Sequence, residues 1–206
     1  MELVDLYDEN RAPLGKTAER YGKKGPGEYR TVVHVCLFDS QGRLLIQKRT
    51  AGKRVWPEMW DVSVGGGVDA GETSRQGAER EFREELGVSL DLGGLRPTVT
   101  VNFGGGFDDF FIVRRDLDDA AFQLQAEEVA AVRWVTLPEL LAMVDEGSFI
   151  PYPKSFLGFL FDMRDSFGFP TKYRTTRREH RSRRFAGFPY GSDWEGASKR
   201  CIMETS

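Results

Sequence analysis

The chain has 206 residues, of which 40% are hydrophobic and 30% are charged, and its formal net charge is −3. This length is enough to bury a sizeable core, and the composition is ordinary for a folded globular protein. The small negative charge argues against broad nucleic-acid affinity, and two cysteines, Cys36 and Cys201, form no disulfide framework. The N-terminus lacks the pattern of a secretory signal, and no apolar run reaches the length of a membrane span. We therefore expect a cytoplasmic protein that does not enter a membrane.

The predicted elements alternate between strands and helices. Strands are indicated by runs of β-branched and aromatic residues between turn residues, and helices by apolar residues spaced three and four apart. We predict strands over residues 2–8, 29–38, 43–48, 61–64, 99–103, 107–114 and 129–135, and helices between 73 and 87, over 138–146 and over 154–167. Residues 15–28 and the glycines at 65–67 are predicted to be loops. This order predicts an α/β fold with helices on both faces of a sheet.

The chain divides by composition into a domain over residues 1–167 and a C-terminal extension over 168–206. The extension combines aromatic residues with a dense group of basic ones: Lys172, Arg174, Arg177, Arg178, Arg181, Arg183 and Arg184. Such a segment is typical of a solvated tail, of a contact with RNA or an acidic partner, or of an interface in a homodimer. All three interpretations stay open.

The helix between 73 and 87 is specified by its own sequence. Thr73 and Gln76 have the spacing of a capping box, in which each side chain satisfies a backbone N–H of the first turn. Gly87 is placed where a left-handed residue would end the helix. The residues that recur every four positions form its inward face: Ala78, Phe82 and Leu86.

Three carboxylates lie together on this helix. Glu81, Glu84 and Glu85 are three and four residues apart, so they are neighbours on the helix surface. Three like charges at this spacing repel one another, and a divalent cation with oxygen ligands removes that penalty. A solvated helix face with salt bridges is the alternative. The adjacent glycines, which let a backbone approach a ligand closely, favour the metal site.

The segment resembles the Nudix box, G-x5-E-x7-R-E-U-x-E-E-x-G-U, in which U is a bulky hydrophobic residue. The fixed and hydrophobic positions of that motif are filled by Gly66, Glu72, Arg80, Glu81, Phe82, Glu84, Glu85, Gly87 and Val88. The stretches 4–8 and 56–61 resemble the branch of the family related to isopentenyl-diphosphate isomerases. The resemblance implies the Nudix α/β/α sandwich with a mixed central sheet.

The resemblance also implies a reaction and a cofactor. Nudix enzymes are pyrophosphatase-type hydrolases that cleave a diphosphate linkage in a nucleoside diphosphate derivative with Mg²⁺ or Mn²⁺. Bound cations neutralise the phosphate oxygens and lower the pKa of a coordinated water. The expected metal ligands are Glu81, Glu84 and Glu85, with the backbone carbonyl of Gly65 as a further ligand.

Other residues are candidates for supporting and proton-transfer roles. Besides Glu81 and Glu84, we expect Arg80 to serve the reaction by orienting the carboxylates through the paired hydrogen bonds of its guanidinium group. The general base of a Nudix enzyme comes either from the box or from a later loop. Glu127 and Glu128 are the candidates in that loop, and an exposed acidic loop is the alternative interpretation.

The substrate-binding residues are less sharply defined by the sequence. Four aromatic residues near predicted loops are candidates for stacking on a base, although each is also typical of core packing: Trp56, Trp60, Phe103 and Phe107. Three basic residues are candidates for phosphate contacts: Lys48, Arg49 and Arg54. None of these residues identifies a particular base, sugar or alcohol.

Two other functions compete with hydrolysis. The first is isomerisation of isopentenyl diphosphate, for which the family resemblance requires a cysteine near residues 61–64 and metal-binding histidines. This stretch has no cysteine, and the whole chain has only His34 and His180. The second is a non-catalytic Nudix module that binds a ligand, in which the glutamates of the box tend to be lost. The intact box favours the hydrolase.

Overall fold

A computed structural model describes residues 2–166 of the chain. The strands are β1 (Leu3–Tyr7), β2 (Pro13–Glu19), β3 (Arg30–Phe38), β4 (Leu44–Arg49), β5 (Trp60–Val62), β6 (Val64–Gly67), β7 (Val99–Phe103), β8 (Gly106–Arg114) and β9 (Val129–Val135). The helices are α1 (Ser74–Leu86), α2 (Leu137–Asp145) and α3 (Lys154–Met163). The predicted extension over 168–206, with His180 and Cys201, lies outside the described residues. No helix within residues 2–166 is long and apolar enough to cross a membrane.

Seven of the strands form one mixed sheet around β3. The order is β5-β4-β3-β8-β7, with β6 pairing to β3 and β9 pairing to β4. Strand β3 runs parallel to β8 from Arg30 opposite Gly106 to Phe38 opposite Arg114, and the other pairs are antiparallel. The remaining strands, β1 and β2, form an antiparallel hairpin.

Alternate residues of β3 enter two separate hydrophobic cores. Val33, Val35 and Leu37 pack with α1 on one face of the sheet. Cys36 and Phe38 pack with α2 and α3 on the other face. A strand that is covered on both faces must be apolar throughout, which explains the continuous hydrophobic run in this part of the sequence. The predicted α/β/α sandwich with a mixed sheet is confirmed.

The sheet splits between β3 and β4, and this split corrects two predictions. These strands pair only at Phe38 and Leu44, because β6 pairs with β3 and β5 pairs with β4. Ser63 fills the gap: its hydroxyl accepts a hydrogen bond from the Leu37 N–H at 2.8 Å and donates to the Leu45 carbonyl at 2.6 Å. The predicted strand over 61–64 is therefore two strands. The predicted loop at 65–67 was wrong, since these glycines continue β6.

The loop predicted over 15–28 was also wrong in its first part, where β2 pairs with β1. Strand β2 is exposed along almost its whole length, so it lacks the alternation of apolar and polar residues that indicates a half-buried strand. Its turn is tied to the main sheet by Arg11, whose guanidinium group donates to both oxygens of the fully buried Asp109. The hydroxyls of Ser74 and Thr100 donate to the same carboxylate.

Replacing Arg11 by methionine should lower the free energy of unfolding by about 2 kcal/mol, because a buried carboxylate loses its cation while two hydroxyl donors remain. Urea unfolding measures this change. The control is Lys16→Met, which removes an exposed ion pair with Glu28 and should change stability by less than about 1 kcal/mol. Equal stabilities of the two variants would contradict the role given to Arg11.

Candidate functional site

Helix α1 begins and ends as predicted. The Thr73 side chain accepts a hydrogen bond from the Gln76 N–H, the Gln76 side chain accepts one from the Thr73 N–H, and Gly87 ends the helix with a φ of 71°. Inside the helix, a β-carbon on Gly77 would lie 3.3 Å from the α-carbon of Val68. This close approach explains a glycine that otherwise weakens the helix. Helix α1 therefore packs closely against the segment that follows β6.

The three box glutamates have different environments. The side chains of Glu81 and Glu85 are only 10% and 3% exposed, whereas that of Glu84 is 46% exposed. Glu81 reaches the sheet because Gly66 has no side chain, and a β-carbon at that position would overlap its carboxylate. Glu85 accepts a hydrogen bond of 3.0 Å from the side-chain amide of Gln47 on β4. Two of the three carboxylates are thus buried against the split in the sheet.

Burial also changes the acidity of these carboxylates. Loss of solvation, reinforced by the negative charge of Glu81, raises the pKa of Glu85 to about 7. Loss of solvation raises the pKa of Glu81 as well, although Arg80 and Arg20 oppose this effect. The protein therefore holds two carboxylates in a place where their charged forms are disfavoured without a further cation.

Arg80 connects the glutamates of α1 to the end of β6. Its Nε donates to Glu72 at 2.9 Å, and one terminal nitrogen donates to the Gly67 carbonyl at 2.8 Å. The other terminal nitrogen lies 3.1 Å from carboxylate oxygens of both Glu81 and Glu84. The guanidinium group also lies 3.7 Å from Asp69, so it contacts four carboxylates and a backbone carbonyl, which is the arrangement expected of a residue that positions acidic side chains.

The loop between β4 and β5 brings Lys53 to the same cluster. Its Nζ lies 3.8 Å from a Glu85 oxygen and forms an ion pair with Glu128. Burial lowers the pKa of Lys53. Glu128 thus lies next to the box, whereas Glu127 is exposed and only its backbone carbonyl accepts a hydrogen bond, from Thr50. This geometry favours Glu128 over Glu127 as the candidate base.

The carboxylates of this cluster form only part of a binding site for a divalent cation in their present arrangement. Within residues 2–166, no three His, Cys, Asp or Glu side chains are already grouped as metal ligands. The predicted trio is not assembled because Glu84 turns outward to Arg80. The two buried carboxylates nevertheless carry charge that Arg80, Arg20 and Lys53 only partly compensate. Hard oxygen donors of this kind suit Mg²⁺ or Mn²⁺, with Glu81 and Glu85 as the side chains best placed to hold the ion.

The predicted stacking residues separate into two pairs. Trp56 and Phe103 are exposed, while Phe107 is buried and packs against Tyr29. Trp60 is half-buried, with the guanidinium carbon of Arg133 4.7 Å from its ring centroid. Trp56 and Phe103 are the accessible pair, with the Arg30 guanidinium carbon 5.5 Å from the Phe103 ring centroid, and these two residues stay candidates.

The side chains of two predicted phosphate-binding residues, Arg49 and Arg54, are engaged within the protein, whereas Lys48 is placed by its backbone pairing. Arg49 lies 3.6 Å from the buried Asp61 and donates to the Val55 carbonyl. Arg54 lies over the ring of Tyr21 at 5.1 Å from its centroid. Lys48 pairs with Trp60 across the β4–β5 ladder. Arg49 and Arg54 lie on either side of Lys53 in the sequence.

Several residues of the site were missed by the sequence analysis. Gln47 could have been found from the sequence, since it is a polar residue in a hydrophobic strand. Lys53 lies in the sequence between the predicted phosphate-binding residues Arg49 and Arg54, but it was not among the candidates. Arg20 carried no signal in the sequence, because it was assigned to a loop. A buried network behind Gly65 was also missed, in which the Tyr152 hydroxyl donates to Asp61 at 3.0 Å and lies 3.4 Å from His34.

His34 completes this network. Its Nδ1 is 2.6 Å from Asp108, and its ring stacks on Phe110 with centroids 4.7 Å apart. A β-carbon on Gly65 would lie 2.7 Å from the imidazole, so β6 is glycine-rich because polar side chains press on both of its faces. Burial lowers the pKa of His34, but the Asp108 carboxylate outweighs this effect and the net shift is upward.

An α/β/α sandwich whose acidic helix lies against a glycine strand defines the Nudix class of hydrolase fold. A family model for the NUDIX domain matches residues 28–154, and the chain belongs to the Nudix family. An uncharacterised Nudix hydrolase of Listeria monocytogenes is 47% identical over 166 residues, covering 81% of this chain and 97% of the relative. The chain is accordingly a Nudix-type hydrolase.

Two further similarities concern the fold and the isomerase-related branch. The crystal structure of the protein DR0079 from Deinococcus radiodurans superposes with a TM-score of 0.62 at 28% identity, covering 77% of this chain and 97% of that one. An isopentenyl-diphosphate Δ-isomerase of Streptomyces avermitilis is 32% identical over 145 residues, covering 67% of this chain and 73% of the relative. The predicted resemblance to the isomerase-related branch therefore has a counterpart among the relatives.

Proposed function

We propose that this protein is a Mg²⁺- or Mn²⁺-dependent hydrolase that cleaves a diphosphate linkage in a nucleoside diphosphate derivative. The observation that carries the proposal is the pair of buried carboxylates, Glu81 against Gly66 of β6 and Glu85 against Gln47 of β4. Such a pair costs stability unless a cation is supplied. Membership of the Nudix hydrolase family supports a diphosphate as the substrate.

Each residue of the cluster has a distinct part in this proposal. Glu81 and Glu85 would hold the cation, with Glu84 and the Gly65 carbonyl as additional ligands. When bound, the cation neutralises phosphate oxygens and lowers the pKa of water. Arg80 acts as a positioning residue through its contacts with Glu72, Glu81 and the Gly67 carbonyl.

Glu128 accepts a proton from the attacking water in the proposed reaction. Its ion pair with Lys53 supports this role, because Lys53 also approaches Glu85 and so links the β9 end of the site to the box. Two further expectations from the sequence remain predictions: that the protein is cytoplasmic and that it forms a homodimer.

Isomerisation of isopentenyl diphosphate is the second candidate function, and the isomerase-named relative favours it. Against it, the stretch 61–64 reads Asp-Val-Ser-Val and contains neither a cysteine nor a histidine. The buried Cys36 does not substitute, since burial raises the pKa of its thiol far above the ordinary range.

A substrate panel tests the proposal. The full chain is incubated with Mg²⁺ or Mn²⁺ and with nucleoside di- and triphosphates, nucleotide sugars, dinucleoside polyphosphates, isopentenyl diphosphate and phosphomonoesters, and products are identified by mass spectrometry. We expect release of a nucleoside monophosphate that stops in excess EDTA. Turnover of monoesters alone would refute diphosphate cleavage, and conversion of isopentenyl diphosphate without hydrolysis would establish the isomerase.

A further inference from the structure

The main sheet has two outer edges, and they differ in how they are protected. Ile46 of β4 pairs with both β5 and β9, which therefore lie on opposite sides of it. Because β5 and β6 fill the split between β4 and β3, the sheet ends in β9 on one side and in β7 on the other. An edge strand exposes unpaired backbone N–H and C=O groups that attract a further strand, and proteins block this pairing with charged side chains, bulges or very short strands.

Strand β9 has two of these protections. The exposed Arg133 lies within it, and a register shift of the kind that a β-bulge produces interrupts its ladder with β4 next to Arg49. In the separate hairpin, the exposed strand β2 carries the charged residues Lys16 and Glu19. Both strands are therefore guarded against pairing with another chain.

Strand β7 has none of these protections. It has five residues, a typical strand length, and it pairs with β8 without a register shift. Residues 97–107 contain no charged side chain. In the part of the chain that the structure describes, the backbone of residues 99–103 finds hydrogen-bond partners only in β8. Because the bonds of an antiparallel ladder alternate in direction, about half of the N–H and C=O groups of β7 point away from β8 and are available to another strand.

The side chains of β7 alternate between apolar and polar. Val99 packs against the core that α2 and α3 form, and the strand period of two places Val101 and Phe103 on the same face. Thr100 and Asn102 lie on the opposite face. Both Val101 and Phe103 are exposed although they belong to the apolar face. Exposed apolar side chains beside unpaired backbone groups indicate an interface with another strand.

The sequence of β7 is complementary to itself in one antiparallel register. A two-fold axis at Val101 places this residue opposite its own copy and Val99 opposite Phe103 of the second copy. On the other face it places Thr100 opposite Asn102. Each apolar residue then meets an apolar one, and β-branched and aromatic residues are favourable cross-strand pairs. Since the strand is uncharged, two copies meet without the repulsion that a charged edge creates.

We propose that β7 is the interface of a homodimer, in which the β7 strands of two copies pair antiparallel about a two-fold axis at Val101. The two main sheets then form one continuous sheet. A contact of this symmetric kind closes after two copies, so it produces a dimer and not a fibre. Five residue pairs bury less area than a standard interface, so the dimer should dissociate with a Kd between about 10 µM and 1 mM. The interface does not depend on which reaction the protein catalyses.

Sedimentation velocity of the full chain measures the dimer and identifies its register. We expect wild-type protein to change from monomer to dimer as its concentration rises to about 1 mM. Val101→Lys and Val101→Glu should each weaken dimerisation at least about tenfold, because two like charges then face each other at the axis. An equimolar mixture of the two variants should dimerise again, since a lysine then faces a glutamate.

A matched control and a second measurement locate the contact. Val55→Lys adds the same charge at an exposed valine in the loop between β4 and β5, and it should dimerise like the wild type. Hydrogen exchange read by mass spectrometry should show that the amides of residues 99–103, unlike those of β9, become protected as the wild-type concentration rises. Circular dichroism verifies that each variant is folded. A wild type that stays monomeric at about 1 mM, a dimer that Val101→Lys leaves intact, or a mixture that fails to dimerise would overturn the proposal.

Discussion

Replacing Glu85 by glutamine should reduce metal-dependent turnover by about two orders of magnitude or more, the scale of a lost catalytic carboxylate contact. Glutamine keeps the shape and can still contact the Gln47 amide, which now donates to Glu85 at 3.0 Å, but it removes one of two buried negative charges. Glu81→Gln should have a similar effect, because Glu81 is the other buried carboxylate.

Three measurements accompany this prediction. Steady-state kinetics gives the loss of turnover, Mn²⁺ titration gives the loss of metal affinity, and thermal unfolding shows that the variants are folded. Glu9→Gln, in the exposed turn after β1, is the control and should match the wild type. The same series includes Glu84→Gln, for which the shared helix face predicts a comparable loss. Full activity with unchanged Mn²⁺ affinity in Glu85→Gln would remove this residue from the site.

The metal-free protein should lose stability as the pH rises from about 5 to 8. Burial and the charge of Glu81 raise the pKa of Glu85 to about 7, from an ordinary value of 4.5. Between these two values the folded state keeps a proton that the unfolded state releases, so raising the pH favours unfolding. The shift corresponds to about 3 kcal/mol, and the loss is complete once the pH exceeds the folded-state pKa.

Urea unfolding in EDTA at pH 5 and pH 8 measures this effect. Wild-type protein should be less stable at pH 8 by an amount of this order, and Glu85→Gln should remove most of the difference. Adding Mg²⁺ at pH 8 should restore stability to the wild type, because a ligand of the folded state alone stabilises it. Glu84→Gln, at an exposed position, should keep the wild-type dependence. An equal pH dependence in wild type and Glu85→Gln would show that ionisation of Glu85 does not lower the free energy of unfolding.

Local sequence was sufficient to predict α1 and the family. The capping box at Thr73 and the left-handed Gly87 depend on contacts within a few residues, so they are readable without knowledge of the rest of the fold. The same holds for the relation among Glu81, Glu84 and Glu85, which helix periodicity makes neighbours. The long strands β3, β8 and β9 were predictable because their hydrophobic runs reflect burial on the sheet.

The environment of each glutamate was decided by the tertiary structure. Helical spacing places the three glutamates on one side, but it does not say that Glu84 turns to Arg80 while Glu81 and Glu85 are buried. That difference depends on the glycines of β6 and on Gln47 of β4, which belong to other elements. The glycines were predicted to be a loop because their isolated preference favours one, whereas the ladder with β3 holds them extended.

The N-terminal hairpin is the clearest example of a feature that local sequence does not predict. An exposed strand such as β2 has no hydrophobic pattern, so only its pairing with β1 and the contact between Arg11 and the buried Asp109 reveal it. Arg20, directly after this hairpin, lies beside Gly67 at the end of β6. The sequence by itself determined the acidic helix, the family and the class of chemistry, because these depend on short-range spacing. Which charges are buried, and which cation lies beside Gly67, depended on contacts between residues distant in the chain.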